Sequence, residues 1–323
     1  MGKLTRKLKV ALASLSLVWG DAKEFGWKIA VAKYRRRLGL IKVESYINII
    51  SDWMQNELKD FNTQFSQGIF ERPVAKMKLP DCSPVWVCWL QGEKSMPEIC
   101  KASYRQLQTQ LEDNQRIFFL TFDNIHEYIE LPDYIWELHQ HGVITPVALL
   151  TDIIRHQLLA TMGGVWIDSQ IFVTGKPFHE MLKYELFTVR FDDVNYILQD
   201  ASRGKWVNGF LCVQGNGKLF SLYCYNALIY LWKRHRRIID YLQLDYIIWT
   251  AYRTVPEITK LLDAIPINNP QIRLLNSKFN EEFDEGQFRE LTKTQHIHLV
   301  NRHINYSTLT QNGKLTYYGK ILK

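Results

Sequence analysis

The chain is poor in the patterns that mark several common protein classes. Its five cysteines, Cys82, Cys88, Cys100, Cys212 and Cys224, are odd in number and contain no Cys-x-x-Cys pair. That argues against a zinc site or a disulfide framework and suits a reducing compartment. Cys88 and Cys224 stand in apolar surroundings, where a small buried hydrophobe is expected. No internal repeat, low-complexity tract or long Gly/Ser linker interrupts the sequence. The apolar run Val10–Val18 is too short to span about 30 Å of hydrocarbon. Gly215-Asn216-Gly217-Lys218 lacks the spacing of a phosphate-binding Walker loop and reads as a turn into a helix.

Basic charge is scarce outside the N-terminus. Residues 1–42 hold 11 Lys/Arg against 2 Asp/Glu, which leaves 29 basic and 31 acidic residues for the rest. A nucleic-acid-binding body would spread its cations, so no nucleic-acid partner is expected. The start has the outline of a signal peptide but no Ala-x-Ala-like cleavage site follows Val18. Instead, Lys and Arg interleave with Leu, Trp and Phe up to Arg35-Arg36-Arg37, a composition suited to lying on an anionic membrane. The alternative is a basic helix packed on the protein's own body. Membrane attachment predicts that deleting residues 1–42 releases the protein from membranes.

Length and 46% hydrophobic content suffice for one large domain with an appendage. Helices are expected to about Phe65, followed by alternating elements: strands at 85–90, 117–122, 165–168, 186–191 and 210–213, and helices at 98–111, through 136, from Thr145 (with Thr145-Pro146 as its start), at 218–236 and at 239–252. Such alternation predicts an α/β fold with a mixed central sheet. The division expected is a basic, amphipathic helical region over 1–70 and a catalytic domain over 71–323.

The most informative segment is Thr151–Gln170, TDIIRHQLLATMGGVWIDSQ. Leu149, Leu150, Ile153, Ile154, Leu158 and Leu159 recur at helical spacing, and Asp152 and Arg155 share another face, one turn apart. Gly163 and Gly164 stop the helix; Val165, Trp166 and Ile167 favour extended chain, which puts Asp168 at a strand end. In open α/β sheets, ligands bind outside the carboxyl ends of strands. The bland alternative is a salt bridge and a turn.

Asp-x-x-Arg followed by Gly-Gly-x-x-x-Asp resembles the core of the capsular polysaccharide synthesis protein family, a branch of the DXD-type sugar-nucleotide glycosyltransferases with the GT-A fold. Val85–Gly92 with Pro97, Leu131–Ile135, Asn208-Gly209-Phe210, Asp240-Tyr241 and Asp245-Tyr246 resemble further landmarks, so the likeness spans about residues 84–265. It implies a GT-A-like, Rossmann-like sheet and transfer of a hexose from a nucleotide sugar to a growing saccharide.

From that resemblance, Trp89 is expected against the base of the donor, with Gln91 and Gly92 in the nucleotide-binding loop and Gly163 and Gly164 among the substrate-binding residues. Asp152 would accept hydrogen bonds from hexose hydroxyls, and Arg155 would meet the sugar or the phosphates. Asp168 would hold the ribose and support a divalent cation, Mn²⁺ or Mg²⁺, against the diphosphate. Gln170 replaces the second Asp of DXD and offers only an amide oxygen, so metal ligation by Asp168 and Gln170 would need a late residue. His296, His298 and His303 fall in a C-terminal stretch where related enzymes supply a metal or diphosphate ligand, His298 being the one expected. His296 and His298 share a strand face, which an ordinary polar strand also explains. Asn208 and Asp245 face the acceptor side; Asp245 is costly to bury without a partner and is the candidate for acceptor binding or base work. Lys233–Arg237 reads as a solvated helix end.

The function expected is transfer of galactose or glucose from a UDP-hexose to a lipid-diphosphate-linked saccharide, with retention. The location expected is the cytoplasmic face of the membrane. The alternatives are an inactive saccharide-binding subunit, which Gln170 favours, and a nucleotide-sugar hydrolase.

Overall fold

The computed structural model describes residues 16–191 and 200–323. Residues 16–25 are helical and lead into α1 (Trp27–Arg37), α2 (Val43–Glu57) and α3 (Lys59–Ser66). The alternating part then runs β1 (Ser83–Cys88), α4 (Glu98–Thr109), β2 (Gln115–Leu120), α5 (Asp133–Gln140), α6 (Ala148–Thr161), β3 (Gly164–Ile167), β4 (Ile171–Val173), β5 (Leu186–Thr188), β6 (Phe210–Val213), α7 (Lys218–Arg234), α8 (Gln243–Thr254), α9 (Pro256–Asp263), α10 (Glu285–Thr294), β7 (Ile297–Leu299) and α11 (Tyr317–Leu322).

Five strands form a mixed sheet in the order β2-β1-β3-β6-β5. β1 is parallel to both β2 and β3, whereas β6 runs antiparallel to β3 and β5 antiparallel to β6. The arrangement is a Rossmann-like α/β fold. Val85, Trp86 and Val87 are all buried, as a strand covered on both faces requires. The chain leaves β1 through α4 to reach β2 on one side, and later places β3 on the other. A switch of this kind opens a crevice beyond the carboxyl ends of the two strands, just where β1 runs into Trp89 and β3 into Asp168.

Helix α6 differs from expectation. It begins at Ala148, not Thr145, and a cis Thr145–Pro146 bond precedes it. It is also buried almost all round: Arg155, His156 and Gln157 lie inside with the leucines and isoleucines, because α7 packs along it. A helix at the centre of a domain has no solvent face to reserve for polar residues. The helix stop is as read from sequence. Gly163 follows the helix at φ 69° and Gly164, at φ 96°, opens β3; a Cβ on Gly164 would lie 2.3 Å from the Pro84 carbonyl oxygen. Only glycine combines that backbone with that approach.

The helices before β1 share one core with the sheet: Phe25, Ile29, Ile47, Ile50, Met54, Phe61 and Phe65 are buried with it. Asp21, 1% exposed, accepts from Lys33 at 3.0 Å, Arg237 at 3.1 Å and Arg37 at 3.3 Å. The expected solvated run at 233–237 is therefore a seam: Lys233 pairs with Glu71, Arg234 with Glu57, and Arg237 with Asp21. Residues 21–37 thus pack on the body on one side. On the other, Leu17, Trp19, Trp27, Val31, Leu38 and Leu40 are exposed, among Lys23, Lys28, Arg35 and Arg36. The basic start, residues 1–15, lies outside the described residues. Among the described residues, no helix is long and apolar enough to cross a membrane.

Candidate active site

A cleft of about 820 Å³ opens at the carboxyl ends of β1 and β3. Cys88, Trp89, Leu90 and Gln91 come from β1 and its exit, Asp168, Ser169 and Gln170 follow β3, and α6 contributes Asp152 and Arg155. The far wall carries Asn208, Tyr241 and Asp245, and the loop after β7 adds Arg302 and His303. The tertiary fold therefore gathers Trp89, Gln91, Asp152, Arg155, Asp168, Gln170, Asn208 and Asp245 into one cavity.

Arg155 is the hub of its floor. The guanidinium, 4% exposed, pairs with Asp152 Oδ1 at 3.1 Å and donates to Asp168 Oδ1 at 3.0 Å. It also lies 5.0 Å from the centre of the Trp166 ring, whose Nε1 donates to Asp168 Oδ1 at 2.7 Å. Nη1 and Nη2 of Arg155 are turned to the two carboxylates, which it thereby positions, while its Nε is buried without a hydrogen-bond partner among the described residues. Asp168 retains Oδ2, which a Cβ on Gly209 would approach to 2.9 Å. A glycine at 209 thus keeps that oxygen clear. Burial, partly offset by Arg155 and reinforced by the negative Asp168, pushes the Asp152 carboxyl up to about 7.

Trp89 and Trp86 have different fates. Trp86 is core, with its indole N–H on the Gly163 carbonyl at 2.8 Å. Trp89 is only partly buried and lines the cleft, and Ser95 Oγ holds its Nε1 at 2.7 Å. Gly92 accepts from that same Ser95 hydroxyl, one step behind the cleft lining. Gly163 and Gly164 stand at the opposite end of β3, by Pro84 and Val213, so they serve the helix-to-strand turn and not the cleft.

On the far wall, Asp245 Oδ1 accepts from Asn208 Nδ2 at 2.7 Å and Trp206 Nε1 at 2.8 Å. Burial, with Asp200 nearby, holds its carboxyl well above the usual carboxylate range, which suits an acid or hydrogen-bond donor. Trp206 was not anticipated. It stands two residues before Asn208 in the loop and turn that lead into β6, and no pattern in the sequence marked it. Asp240 lies in the loop before α8, which starts at Gln243 and not at 239; it accepts from Tyr46 at 2.6 Å and the Leu242 amide at 2.8 Å.

Of the expected metal ligands, Asp168 and Gln170 line the cleft together with His303, but His298 does not join them. His298 is fully buried on β7, opposite Phe172 of β4, with Nε2 3.4 Å from the Thr174 hydroxyl. Burial lowers its pKa to about 4, and it does not line the cleft. Gln170 Oε1 accepts from the backbone N–H of Arg302 at 3.3 Å, while the Gln170 carbonyl accepts from Val300 at 2.9 Å. Among the described residues, no group of three or more His, Cys, Asp or Glu is set to hold a metal. Asp168 offers one free oxygen beside a cation that balances its charge, and Gln170 is committed to a loop. This donor set does not fit a resident divalent cation.

A family model described as capsular polysaccharide synthesis protein matches residues 36–321. No curated protein and no solved structure matches the chain.

Proposed function

We propose that this chain, which belongs to the capsular polysaccharide synthesis protein family and so has its role in capsule biosynthesis, is a glycosyltransferase that moves a hexose from a nucleotide sugar to a saccharide. The observation that carries this reading is the placement of Asp168, with one oxygen free, beside the partly exposed Trp89 in a cleft at the sheet's switch point. Trp89 supplies an aromatic face for a nucleobase. Asp152 and Asp168, fixed through Arg155, accept from sugar and ribose hydroxyls. Asp245 and Asn208, on the opposite wall, suit the acceptor.

UDP-galactose and UDP-glucose are the donors proposed, with a lipid-diphosphate-linked saccharide as acceptor. Retention follows from same-face attack. The acceptor hydroxyl oxygen bonds to the anomeric carbon as the carbon–oxygen bond to the β-phosphate breaks, and its proton passes to the departing phosphate oxygen. The exposed Trp19, Trp27, Val31 and Leu40, set among basic residues, support a place on the inner, anionic membrane surface, where such an acceptor resides. Deleting residues 1–42 is a poor test of this, since it would remove Phe25 and Ile29 from the core.

The test incubates purified protein with UDP- and GDP-hexoses, with and without lipid-linked acceptor, and follows nucleotide release. Acceptor-dependent release that Asp152→Asn and Asp168→Asn each abolish, with folding intact, is the expected result. Release indifferent to acceptor would establish a hydrolase instead. The commitment of Gln170 to Arg302 favours one other reading, an inactive saccharide-binding subunit, which binding without turnover would establish.

A further inference from the structure

The residues after β7, of which the resemblance pointed only to His303, form one wall of the cleft with Arg302 and His303. Their course is pinned at four points. The Gln170 carbonyl takes the Val300 N–H at 2.9 Å, Asn276 Oδ1 takes the Asn301 N–H at 2.8 Å, Gln170 Oε1 takes the Arg302 N–H at 3.3 Å, and Asn301 Oδ1 takes the His303 N–H at 2.8 Å. Thus both the backbone and the side chain of Gln170, at the position where a second metal-binding carboxylate was expected, anchor this loop. The result is that the Arg302 guanidinium sits 5.1 Å from the centre of the Trp89 ring, on the cleft. Among the described residues it enters no ion pair, although Asp168 lines the same cavity.

We propose that Arg302, held in place by Gln170, neutralises the diphosphate of the nucleotide sugar in the role a divalent cation would otherwise take, so that donor binding and transfer need no metal. The proposal rests on the transferase reading of the same cleft. A guanidinium presents a planar fork of donors that matches two phosphate oxygens, carries its charge at any working pH, and stacks on an aromatic ring while doing so. Trp89 beneath it would contact the base, which puts the cation within a nucleotide's length of the phosphates. When the carbon–oxygen bond to the β-phosphate breaks, the electron pair stays on that oxygen. Arg302 donates hydrogen bonds to the charge that develops there, while the acceptor's proton balances the remainder. The same geometry explains Gln170. A carboxylate at 170 could not improve on a neutral amide oxygen for a backbone N–H without drawing the guanidinium away from the ligand.

Calorimetric titration of the full chain with UDP, in EDTA and in Mn²⁺, tests the proposal apart from turnover. UDP is expected to bind in EDTA with an affinity within about threefold of that in Mn²⁺. Arg302→Gln should weaken binding in EDTA by roughly 10- to 100-fold, the worth of a charge-assisted pair, and Arg302→Lys should recover part of it. Arg302 is exposed, so the variants are expected to keep the parent's melting temperature. Binding that requires Mn²⁺, or an Arg302→Gln variant that binds as the parent does, would overturn the assignment while leaving the transferase reading in place. Failure of UDP, and of GDP titrated in the same way, to bind under either condition would overturn both. Gln170→Asp supplies the complementary arm: with a carboxylate restored and the loop anchor altered, Mn²⁺ should now strengthen UDP binding, and no gain from Mn²⁺ would count against the role of Gln170.

Discussion

Replacing Arg155 by Met removes a cation that two carboxylates share and leaves the space filled. Arg155 is 4% exposed and Asp152 17%, so their pair lies inside the protein; Asp168 is 40% exposed, and its pair is screened by water. Breaking a buried pair costs about 3–5 kcal/mol, whereas an exposed one is worth at most about 1. The Asp152 side therefore dominates, and a loss of about 3 kcal/mol is expected. With an unfolding entropy of about 2.1 cal/mol/K per residue, that lowers the melting temperature by roughly 4–5 °C. The loss must also depend on pH. Asp152 already titrates at about 7, and without Arg155 its folded-state pKa rises further. A carboxyl raised on folding takes up protons in the folded state, so its stabilisation is complete below the unfolded value and is lost as pH rises through the folded one. The deficit of Arg155→Met should thus be larger at pH 8 than at pH 5, and adding Asp152→Asn should restore most of it. Urea and thermal unfolding at both pH values measure this. A loss under about 1 kcal/mol, or one equal at the two pH values, would refute the view of Arg155 as the charge hub.

Three further outcomes are expected. If ionised Asp152 accepts from the donor sugar, kcat/KM should fall on the acid side with a midpoint near 7, as its raised pKa dictates; a rate that is flat down to pH 5 would exclude that role. Gly209→Ala should fold nearly normally yet lose about tenfold in kcat/KM, because the new methyl would meet Asp168 Oδ2 at 2.9 Å; unchanged kinetics would show that this oxygen contacts no substrate. Trp19 and Trp27 are 54% and 59% exposed and pack edge to face at 5.9 Å. Changing both to Ser should therefore weaken sedimentation with anionic vesicles while the melting temperature stays within about 1 °C; undiminished sedimentation would remove this face from membrane attachment.

Much of the architecture follows from local patterns. β1, β3, β6, α4 and α7 lie within two residues or so of where apolar periodicity and glycine stops put them, because each is bounded by a signal in the chain itself. The start of α6 was misplaced because Thr145-Pro146 is a good helix opening in isolation, while the fold uses it in a turn. That the face shared by Asp152 and Arg155 is buried has a related reason: whether a helix has an outer side depends on what else packs on it, and α7 covers this one.

For the site, residue type, order and the family resemblance singled out Asp152, Arg155, Asp168, Trp89 and Asp245. What they touch was decided by tertiary structure. Sequence spacing linked Arg155 to Asp152 through one helical turn, but only the packing of α6 against β3 gave it Asp168 and Trp166 as well. The alternation of His296 and His298 could not say that β7 pairs with β4 and buries His298. Nor could Gln170 show, as a letter in place of Asp, that it holds the backbone of a residue 132 positions away. Contacts within a few residues are written in the chain because backbone geometry fixes them; contacts across it exist only once the sheet has chosen its neighbours.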